Sequence, residues 1–143
     1  MAVTSEATSV WTGDLKSGEG TTTLNSSKAG EFRTDWAGRA DGAPGSTTPE
    51  ELLGAAHASC FSMAFANVLK SNGANPIRVR VTAAITFDAN EVAITGSHLM
   101  VDAEVENVNE EDFQRYAKQA KEGCPVSKAL IGIPITMEAR LSA

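Results

Sequence analysis

The spacing of apolar and polar residues changes along the chain, and it separates predicted strands from predicted helices. The stretch "IRVRVTAAITFD" (77–88) starts with strict alternation, which is typical of a strand. Residues 92–108 predict a second strand with a bend near Gly96, and residues 133–141 predict a closing strand. The first 37 residues are rich in Thr, Ser and Gly, and they predict short strands over 9–11, 20–24 and 31–36.

A long helix is predicted in the middle of the chain. In "TTPEE", Thr48 is the expected N-cap, Pro49 the first helical residue and Glu51 the capping-box partner. The helix should run to about Ser71, where Asn72-Gly73 offers a left-handed stop, and it would be about 35 Å long. Apolar residues lie around most of its circumference, so we expect it in the protein interior.

Two more helices are predicted before the closing strand. Asn109 caps the first, which carries acidic residues in its first turn and ends at Gly123. A short one then opens with Pro125, whereas residues 38–47, "GRADGAPGST", read as a loop. Strands and helices do not alternate strictly, so the expected fold is α+β, in a single domain over 1–143.

Composition excludes several classes of function. Hydrophobic residues make up 42% of the chain and the net charge is −6, so a basic surface for nucleic acid is not expected. We find no run of about 18 apolar residues and no basic-then-apolar leader, so we expect no membrane span and no secretory signal. The expected location is the cytoplasm, where stable disulfides are rare.

The two cysteines, Cys60 and Cys124, are the candidates for chemistry. Neither has a nearby Cys or His at metal-ligand spacing, and the ordinary reading of each is a small buried hydrophobe. Cys124 precedes the helix that opens with Pro125, which favours its thiolate, whereas Cys60 in an apolar helix needs a neighbouring cation to ionise. If the two sulfurs come within disulfide range, a thiol–disulfide cycle follows.

Two segments, "TTPEELLGAAHASCFSMA" and "GCPVSKAL", carry a resemblance to a known family. The chain resembles the OsmC/Ohr family of osmotically inducible proteins and organic hydroperoxide reductases over nearly its whole length. It is closer to the OsmC branch, to which "WTGDLKSGEG" and "GAAHASCFSMA" are similar. The resemblance implies an intertwined homodimer with long central helices wrapped by antiparallel sheets.

The resemblance also implies roles for single residues. Cys60 would be the peroxidatic cysteine, Cys124 the resolving cysteine and Glu50 a helper. Arg39 in "DWAGRADG" is the better match to the family's helper arginine, and Arg33 in "EFRTDW" is the alternative. The implied activity is reduction of organic hydroperoxides to alcohols without metal, haem or flavin, with recycling by an external dithiol, lipoyl-type in the Ohr branch.

The spacing of Glu50 and Cys60 bears on the assembly. Ten residues along one helix are about 15 Å, so the two side chains cannot meet directly. Glu50 would act either through an intervening arginine or on the site of another chain. Two rival functions stay open: a non-enzymatic redox-sensing or small-molecule-binding protein on the same scaffold, and a structural dimer with two inert cysteines.

Other residues have a structural and a chemical interpretation. His57 lies one turn before Cys60 and could activate that thiol, although a hydrogen-bonded structural histidine is the commoner case. Ser127 is expected to satisfy a helix end, and His98 receives no role. Three apolar residues near Cys60 could shape a pocket for organic hydroperoxides, although core packing is expected for at least two of them: Phe61, Met63 and Phe65. The two tryptophans, Trp11 and Trp36, are expected to be packing residues.

Overall fold

The computed structural model describes residues 1–142, which fall into two compact units. Unit 1 comprises residues 1–52, and unit 2 begins at Leu53. The mixture of helices and sheets confirms the predicted α+β class. One long helix, α2 (Pro49–Ser71), starts in unit 1 and continues in unit 2.

Unit 1 consists of a small sheet, a short helix and the first turn of α2. Its strands pair antiparallel in the order β1-β2-β3, and their bounds are β1 (Ala7–Thr12), β2 (Glu19–Leu24) and β3 (Glu31–Thr34). The turn between β1 and β2 is closed by Asp14, whose Oδ1 accepts from the N–H groups of Lys16 and Ser17, both at 2.9 Å. The three predicted strands therefore exist, with ends shifted by one or two residues.

The predicted loop over 38–47 is wrong in its first half. A helix, α1 (Trp36–Asp41), occupies these residues and also replaces the end of the predicted strand over 31–36. Asp35 caps α1 by accepting from the N–H of Gly38 at 2.7 Å, and Gly42 ends it at φ 69°. Gly38 is one of the residues that led to the loop prediction. A glycine fits here because an added Cβ would lie 2.3 Å from Ser46 Oγ.

The start and end of α2 follow the predicted signals. Thr48 Oγ1 accepts from the N–H of Glu51 at 2.9 Å, while the Glu51 carboxylate accepts from Thr47 Oγ1 at 2.6 Å instead of closing a reciprocal capping box. At the far end, Gly73 takes the left-handed conformation at φ 84°.

Unit 2 is a three-stranded sheet covered by helices. Its elements are the remainder of α2, β4 (Asn75–Asp88), β5 (Ala93–Glu106), α3 (Glu110–Gly123), α4 (Pro125–Ala129) and β6 (Ile135–Ser142). The strand order is β4-β5-β6, and a register shift after Thr86 lies opposite Gly96, where a bend was predicted. β6 pairs parallel with β5, which corrects the expectation of purely antiparallel sheets. A parallel pair needs a crossover, and α3 and α4 provide it.

The core of unit 2 lies between α2, β5 and α3. Three phenylalanines pack in its centre: the rings of Phe61 and Phe65 are tilted with centroids 5.7 Å apart, and those of Phe65 and Phe113 meet edge to face at 5.4 Å. Gly54 brings α2 close to β4, since an added Cβ would lie 2.9 Å from the carbonyl oxygen of Ala83. The cysteine pair is therefore held by a closely packed framework.

Only one side of α2 is covered within the chain. Phe61 and Phe65 are fully buried, but Met63 is 68% exposed and Ala55 and Ala56 are also exposed. The expectation of an all-interior helix is therefore wrong for the single chain. Within the described residues α2 is the one helix whose length and hydropathy would suit a membrane span, a test that core helices of soluble proteins also pass.

Candidate active site

The two cysteines of unit 2 lie side by side. Their Sγ atoms are 3.1 Å apart and share a hydrogen bond, and both thiols are free. Cys60 belongs to the middle of α2 and is partly exposed, whereas Cys124 joins α3 to α4 and is fully buried. Because a disulfide needs about 2.05 Å between sulfurs, a small movement would let the two bond once one of them has been oxidised.

The surroundings shift the acidity of the two thiols in opposite directions. Burial raises the pKa of Cys60, and the hydrogen bond with Cys124 adds to this, against a lowering contribution from the N–H of Val126. Burial also raises the pKa of Cys124, but hydrogen bonds from the N–H of Ser127, from Cys60 and from the Ser127 hydroxyl outweigh it, so the pKa of Cys124 is lowered. Within unit 2, Cys124 is therefore the better thiolate.

His57 does not pair with Cys60, because both of its ring nitrogens are engaged elsewhere. Nδ1 lies 2.8 Å from Ser97 Oγ and Nε2 lies 2.8 Å from Ser127 Oγ. All three side chains are buried, and burial lowers the pKa of His57. The Ser127 hydroxyl thus contacts the buried imidazole, a contact beyond the helix-end role expected from the sequence.

Unit 1 brings Arg39 and Glu50 together. Nε of Arg39 donates to Oε1 and Oε2 of Glu50 at 3.1 and 3.3 Å, and Nη2 donates to Oε1 at 2.8 Å. The Glu50 side chain is 7% exposed and that of Arg39 is 33% exposed, so the carboxylate is buried behind a partly accessible guanidinium. Such a fork fixes the orientation of the guanidinium plane.

The alternative arginine, Arg33, has a different environment. Its Nη2 lies 3.1 Å from Glu19 and 3.4 Å from Asp35, and its side chain is 59% exposed. These are surface ion pairs, which contribute little and leave the guanidinium in water.

A largely apolar groove of about 510 Å³ opens beside Arg39 within unit 1. Its apolar walls come from five residues: Trp11, Leu15, Trp36, Pro49 and Leu52. From the sequence we expected the two tryptophans to be packing residues, because no sequence motif identifies a residue that lines a groove. Of the three residues suggested for a pocket, Phe61 and Phe65 are fully buried in the core and Met63 is exposed.

A second groove, of about 750 Å³, lies on the outer face of the unit 2 sheet. It contains neither cysteine, and its arginines Arg78, Arg80 and Arg140 are balanced by Asp102, Glu104 and Glu138. Among the described residues, no group of three or more His, Cys, Asp or Glu side chains is placed to hold a metal ion.

Comparisons with known proteins connect these features to a family. Residues 41–138 match the OsmC-like protein family. Peroxiredoxin OsmC of Escherichia coli is 36% identical over 132 residues, which are 91% of this chain and 92% of that protein. An organic hydroperoxide resistance protein-like 1 of Staphylococcus saprophyticus is 38% identical over 88 residues, which are 60% of this chain and 62% of that protein.

The fold is also that of solved structures in the family. The crystal structure of an OsmC-like protein from Mycoplasma pneumoniae aligns with a TM-score of 0.76 over 100% of both chains at 14% identity. The family match covers residues 41–138 and thus both Cys60 and Cys124, and the Escherichia coli relative aligns with nine-tenths of the chain. The chain therefore belongs to the OsmC-like family, on its OsmC branch.

Proposed function

We propose that this protein is a thiol-dependent peroxidase that reduces organic hydroperoxides to alcohols, with Cys60 as peroxidatic and Cys124 as resolving cysteine. The observation that carries the proposal is the 3.1 Å separation of the two free sulfurs. The names of the relatives, peroxiredoxin OsmC and organic hydroperoxide resistance protein-like 1, support a peroxidase-type role.

The proposed reaction has three stages. The Cys60 thiolate attacks the distal peroxide oxygen, the O–O bond breaks and the alkoxide leaves as an alcohol after protonation. The Cys124 thiolate then attacks the sulfur of the Cys60 sulfenic acid, the S–S bond forms, the S–O bond breaks, and the departing hydroxide takes up a proton from solvent to leave as water. An external dithiol, which we propose to be of lipoyl type, reduces the resulting disulfide. No step requires a metal or an organic cofactor.

Arg39 is the proposed cation for the Cys60 thiolate. Burial in unit 2, together with the hydrogen bond to Cys124, raises the pKa of Cys60, so a peroxidatic role requires a positive charge supplied from outside that cluster. The fork from Glu50 holds the guanidinium in one orientation, which supports Arg39 over Arg33 for this task. The apolar groove beside Arg39 would accommodate the organic part of the hydroperoxide.

We propose that the working form is a homodimer in the cytoplasm. The exposed side of α2, which includes Met63 at 68% exposure, is an apolar surface of the kind that subunit contacts cover. A dimer would also let Glu50 and Arg39 serve the cysteines of the partner chain. Sedimentation equilibrium would test this, and a folded, active monomer would contradict it.

The direct test of the activity is Cys60→Ser. We expect loss of cumene hydroperoxide turnover by more than about 1,000-fold, because the nucleophile is removed. The measurement is hydroperoxide consumption with dihydrolipoamide as reductant. Full turnover in the folded variant would end the proposal.

Cys124→Ser separates the two cysteines. This variant should still consume one equivalent of hydroperoxide and form a sulfenic acid on Cys60, because the first stage does not use Cys124. Recycling by the dithiol should then be slow, since no intramolecular disulfide forms. Mass spectrometry after trapping with dimedone would identify the oxidised cysteine.

The raised pKa of Cys60 within unit 2 also favours a second candidate, a redox sensor or small-molecule-binding protein that reacts slowly. Titration of the Cys60 thiol in the Cys124→Ser variant distinguishes the two. A pKa well above neutral, with slow reaction towards hydroperoxide, would support the sensor. An ionised Cys60 at neutral pH would support the peroxidase.

A further inference from the structure

Two contacts join α2 to the start of α4, and they lie about one helical turn apart. The first is the 3.1 Å approach of the Cys60 and Cys124 sulfurs. The second is a hydrogen bond of 2.8 Å between His57 Nε2 and Ser127 Oγ. His57 precedes Cys60 by three residues on α2, and Ser127 likewise follows Cys124 by three residues. The hydrogen bond therefore holds the same two segments that a disulfide would have to join.

The imidazole of His57 is itself anchored to the sheet. Its Nδ1 lies 2.8 Å from Ser97 Oγ on β5. His57 is fully buried, and Ser97 and Ser127 are only 2% and 7% exposed, so water does not compete for these contacts. Because both ring nitrogens are engaged, the plane of the ring is fixed, and α4 is connected through His57 to both α2 and β5.

The polar character of this connection departs from the surrounding packing pattern. The inward positions that follow Ser97 on β5 are Leu99, Val101 and Ala103, all buried and apolar. A hydroxyl and an imidazole cost free energy to bury unless they are hydrogen-bonded, as they are here. Apolar side chains would fill the same space, but only a hydrogen bond fixes both the distance and the direction between two elements.

The short helix α4 needs such an anchor. It has five residues, far fewer than a helix that is stable by itself. Its buried side chain is that of Ser127, whereas Pro125 and Lys128 are exposed. The backbone of Cys124 belongs to the same turn, because its carbonyl oxygen accepts from the N–H of Lys128 at 3.0 Å. A displacement of α4 would therefore carry Cys124 with it.

We propose that the His57–Ser127 hydrogen bond is a brace that holds Cys124 against Cys60 and so favours disulfide formation, with Ser97 fixing the imidazole. The brace rests on the proposed peroxidase function and deepens it. His57 and Ser127 are positioning residues, because they act on the sulfurs through the helices that carry them. This role differs from the pairing of His57 with Cys60 that the sequence suggested.

The brace acts in the second stage of the reaction. The Cys124 thiolate attacks the Cys60 sulfenic sulfur, the S–S bond forms, the S–O bond breaks, and the departing hydroxide takes a proton from solvent. Holding the two sulfurs together raises their effective concentration. In the competing reaction the Cys60 sulfenate attacks a second hydroperoxide, the O–O bond breaks, and a sulfinic acid and an alcohol form. The brace exchanges no proton and no electron; it makes the first reaction faster than the second.

The first test uses no hydroperoxide. The protein is equilibrated in mixtures of reduced and oxidised dithiothreitol, and its thiols are alkylated and counted by mass spectrometry. In Ser127→Ala and His57→Leu we expect the equilibrium constant for the disulfide to fall about 10-fold, which makes its reduction potential about 30 mV less negative. The double variant should match either single variant, because all three lack the same hydrogen bond. Additive shifts, or wild-type midpoints in both folded single variants, would overturn the brace.

Two further substitutions of His57 separate the brace from core packing. The amide of Gln reaches the position of Nε2 and can bond Ser127, whereas the amide of Asn reaches that of Nδ1 and can bond only Ser97. His57→Gln should therefore retain a midpoint close to wild type, and His57→Asn should resemble His57→Leu. The reverse order would contradict the proposal.

Asn109→Ala is the control for stability. It removes the N-cap of α3, a 2.8 Å hydrogen bond from the N–H of Asp112, and so destabilises the protein without changing the brace. Its disulfide midpoint should equal that of wild type. A shift as large as that of Ser127→Ala would show that the midpoint follows overall stability, and would overturn the brace.

Single-turnover kinetics complete the test. The reduced protein is mixed with one equivalent of tert-butyl hydroperoxide, and hydroperoxide loss and disulfide are followed separately. In Ser127→Ala disulfide formation should slow about 10-fold while hydroperoxide loss stays within about twofold of wild type, and excess hydroperoxide should give more sulfinic acid on Cys60. An unchanged disulfide rate would overturn the brace. Absence of hydroperoxide loss in the wild type would instead overturn the peroxidase function, and the dithiothreitol equilibrium would still test the brace.

Discussion

The Arg39–Glu50 pair of unit 1 and the cysteine cluster of unit 2 solve the problem of burying polar groups in different ways. The first uses full charges, with a buried carboxylate held by a forked guanidinium. The second uses neutral donors and acceptors: two sulfurs 3.1 Å apart, and an imidazole whose nitrogens each lie 2.8 Å from a serine hydroxyl. The charged pair carries a cation that can change the ionisation of a neighbour, whereas the neutral cluster acts through hydrogen bonds alone.

The difference explains why the cluster alone favours the thiolate of Cys124 over that of Cys60. Its hydrogen bonds lower the pKa of Cys124, while burial raises that of Cys60. A peroxidatic Cys60 and a resolving Cys124 require the opposite order in the first stage. We therefore infer that a cation makes Cys60 the first sulfur to react. The hydrogen bonds of the cluster favour the Cys124 thiolate, which reacts in the second stage.

The largest effect on this comparison should come from Arg39→Met. Without the guanidinium the pKa of Cys60 should rise, and turnover of cumene hydroperoxide should fall by about 100- to 1,000-fold. Arg39→Lys should lie between this variant and wild type, because it keeps the charge and loses the fork. Stopped-flow measurement of the first turnover isolates this stage.

Arg33→Met is the matched control for Arg39. Its surface ion pairs contribute little, so turnover should stay close to wild type. A large loss in Arg33→Met together with wild-type turnover in a folded Arg39→Met would reverse the assignment of the helper arginine.

A smaller effect is expected from Glu50→Gln. Gln keeps the volume and one oxygen acceptor for Arg39, but it removes the charge that strengthens the fork. We expect the first stage to slow by about 10-fold, with disulfide formation unchanged, because Glu50 orients the cation and takes no part in the second stage. Glu51→Gln, an exposed neighbour, is the control. Wild-type rates in Glu50→Gln would show that the fork is not needed.

Helix ends could be predicted from the sequence where a capping side chain or a proline marks the start and a stop residue marks the end. Asn109 caps α3 with a 2.8 Å hydrogen bond from the N–H of Asp112, and Pro125 opens α4, both as predicted. The helix α1 escaped prediction because its N-cap, Asp35, is followed by Gly38, which lowers helix propensity and is retained for close packing against Ser46.

The contact partners of each site residue were harder to predict from the sequence. The sequence located both cysteines, but their contact depends on a connection of 64 residues that no local pattern encodes. It placed His57 next to Cys60 by helical spacing, yet the imidazole turns towards Ser97 of β5 and Ser127 of α4. Long-range packing decides such pairings, whereas periodicity decides the faces on which residues lie.

The smallest expected effect concerns stability, and it tests whether the cluster is neutral. Burial lowers the pKa of His57 from 6.5, so as the pH falls below 6.5 the unfolded chain binds a proton that the folded chain resists. Stability from this residue is therefore fully present above pH 6.5 and is lost on acidification, by at most about 1.4 kcal/mol per pH unit. His57→Gln should flatten the dependence of the unfolding free energy on pH between 7.5 and 5.5, in urea titrations at one protein concentration, whereas His98→Gln should retain it. An equal slope in wild type and His57→Gln would mean that the imidazole is protonated as readily in the folded core as in water, and the contrast between a charged and a neutral region would fail.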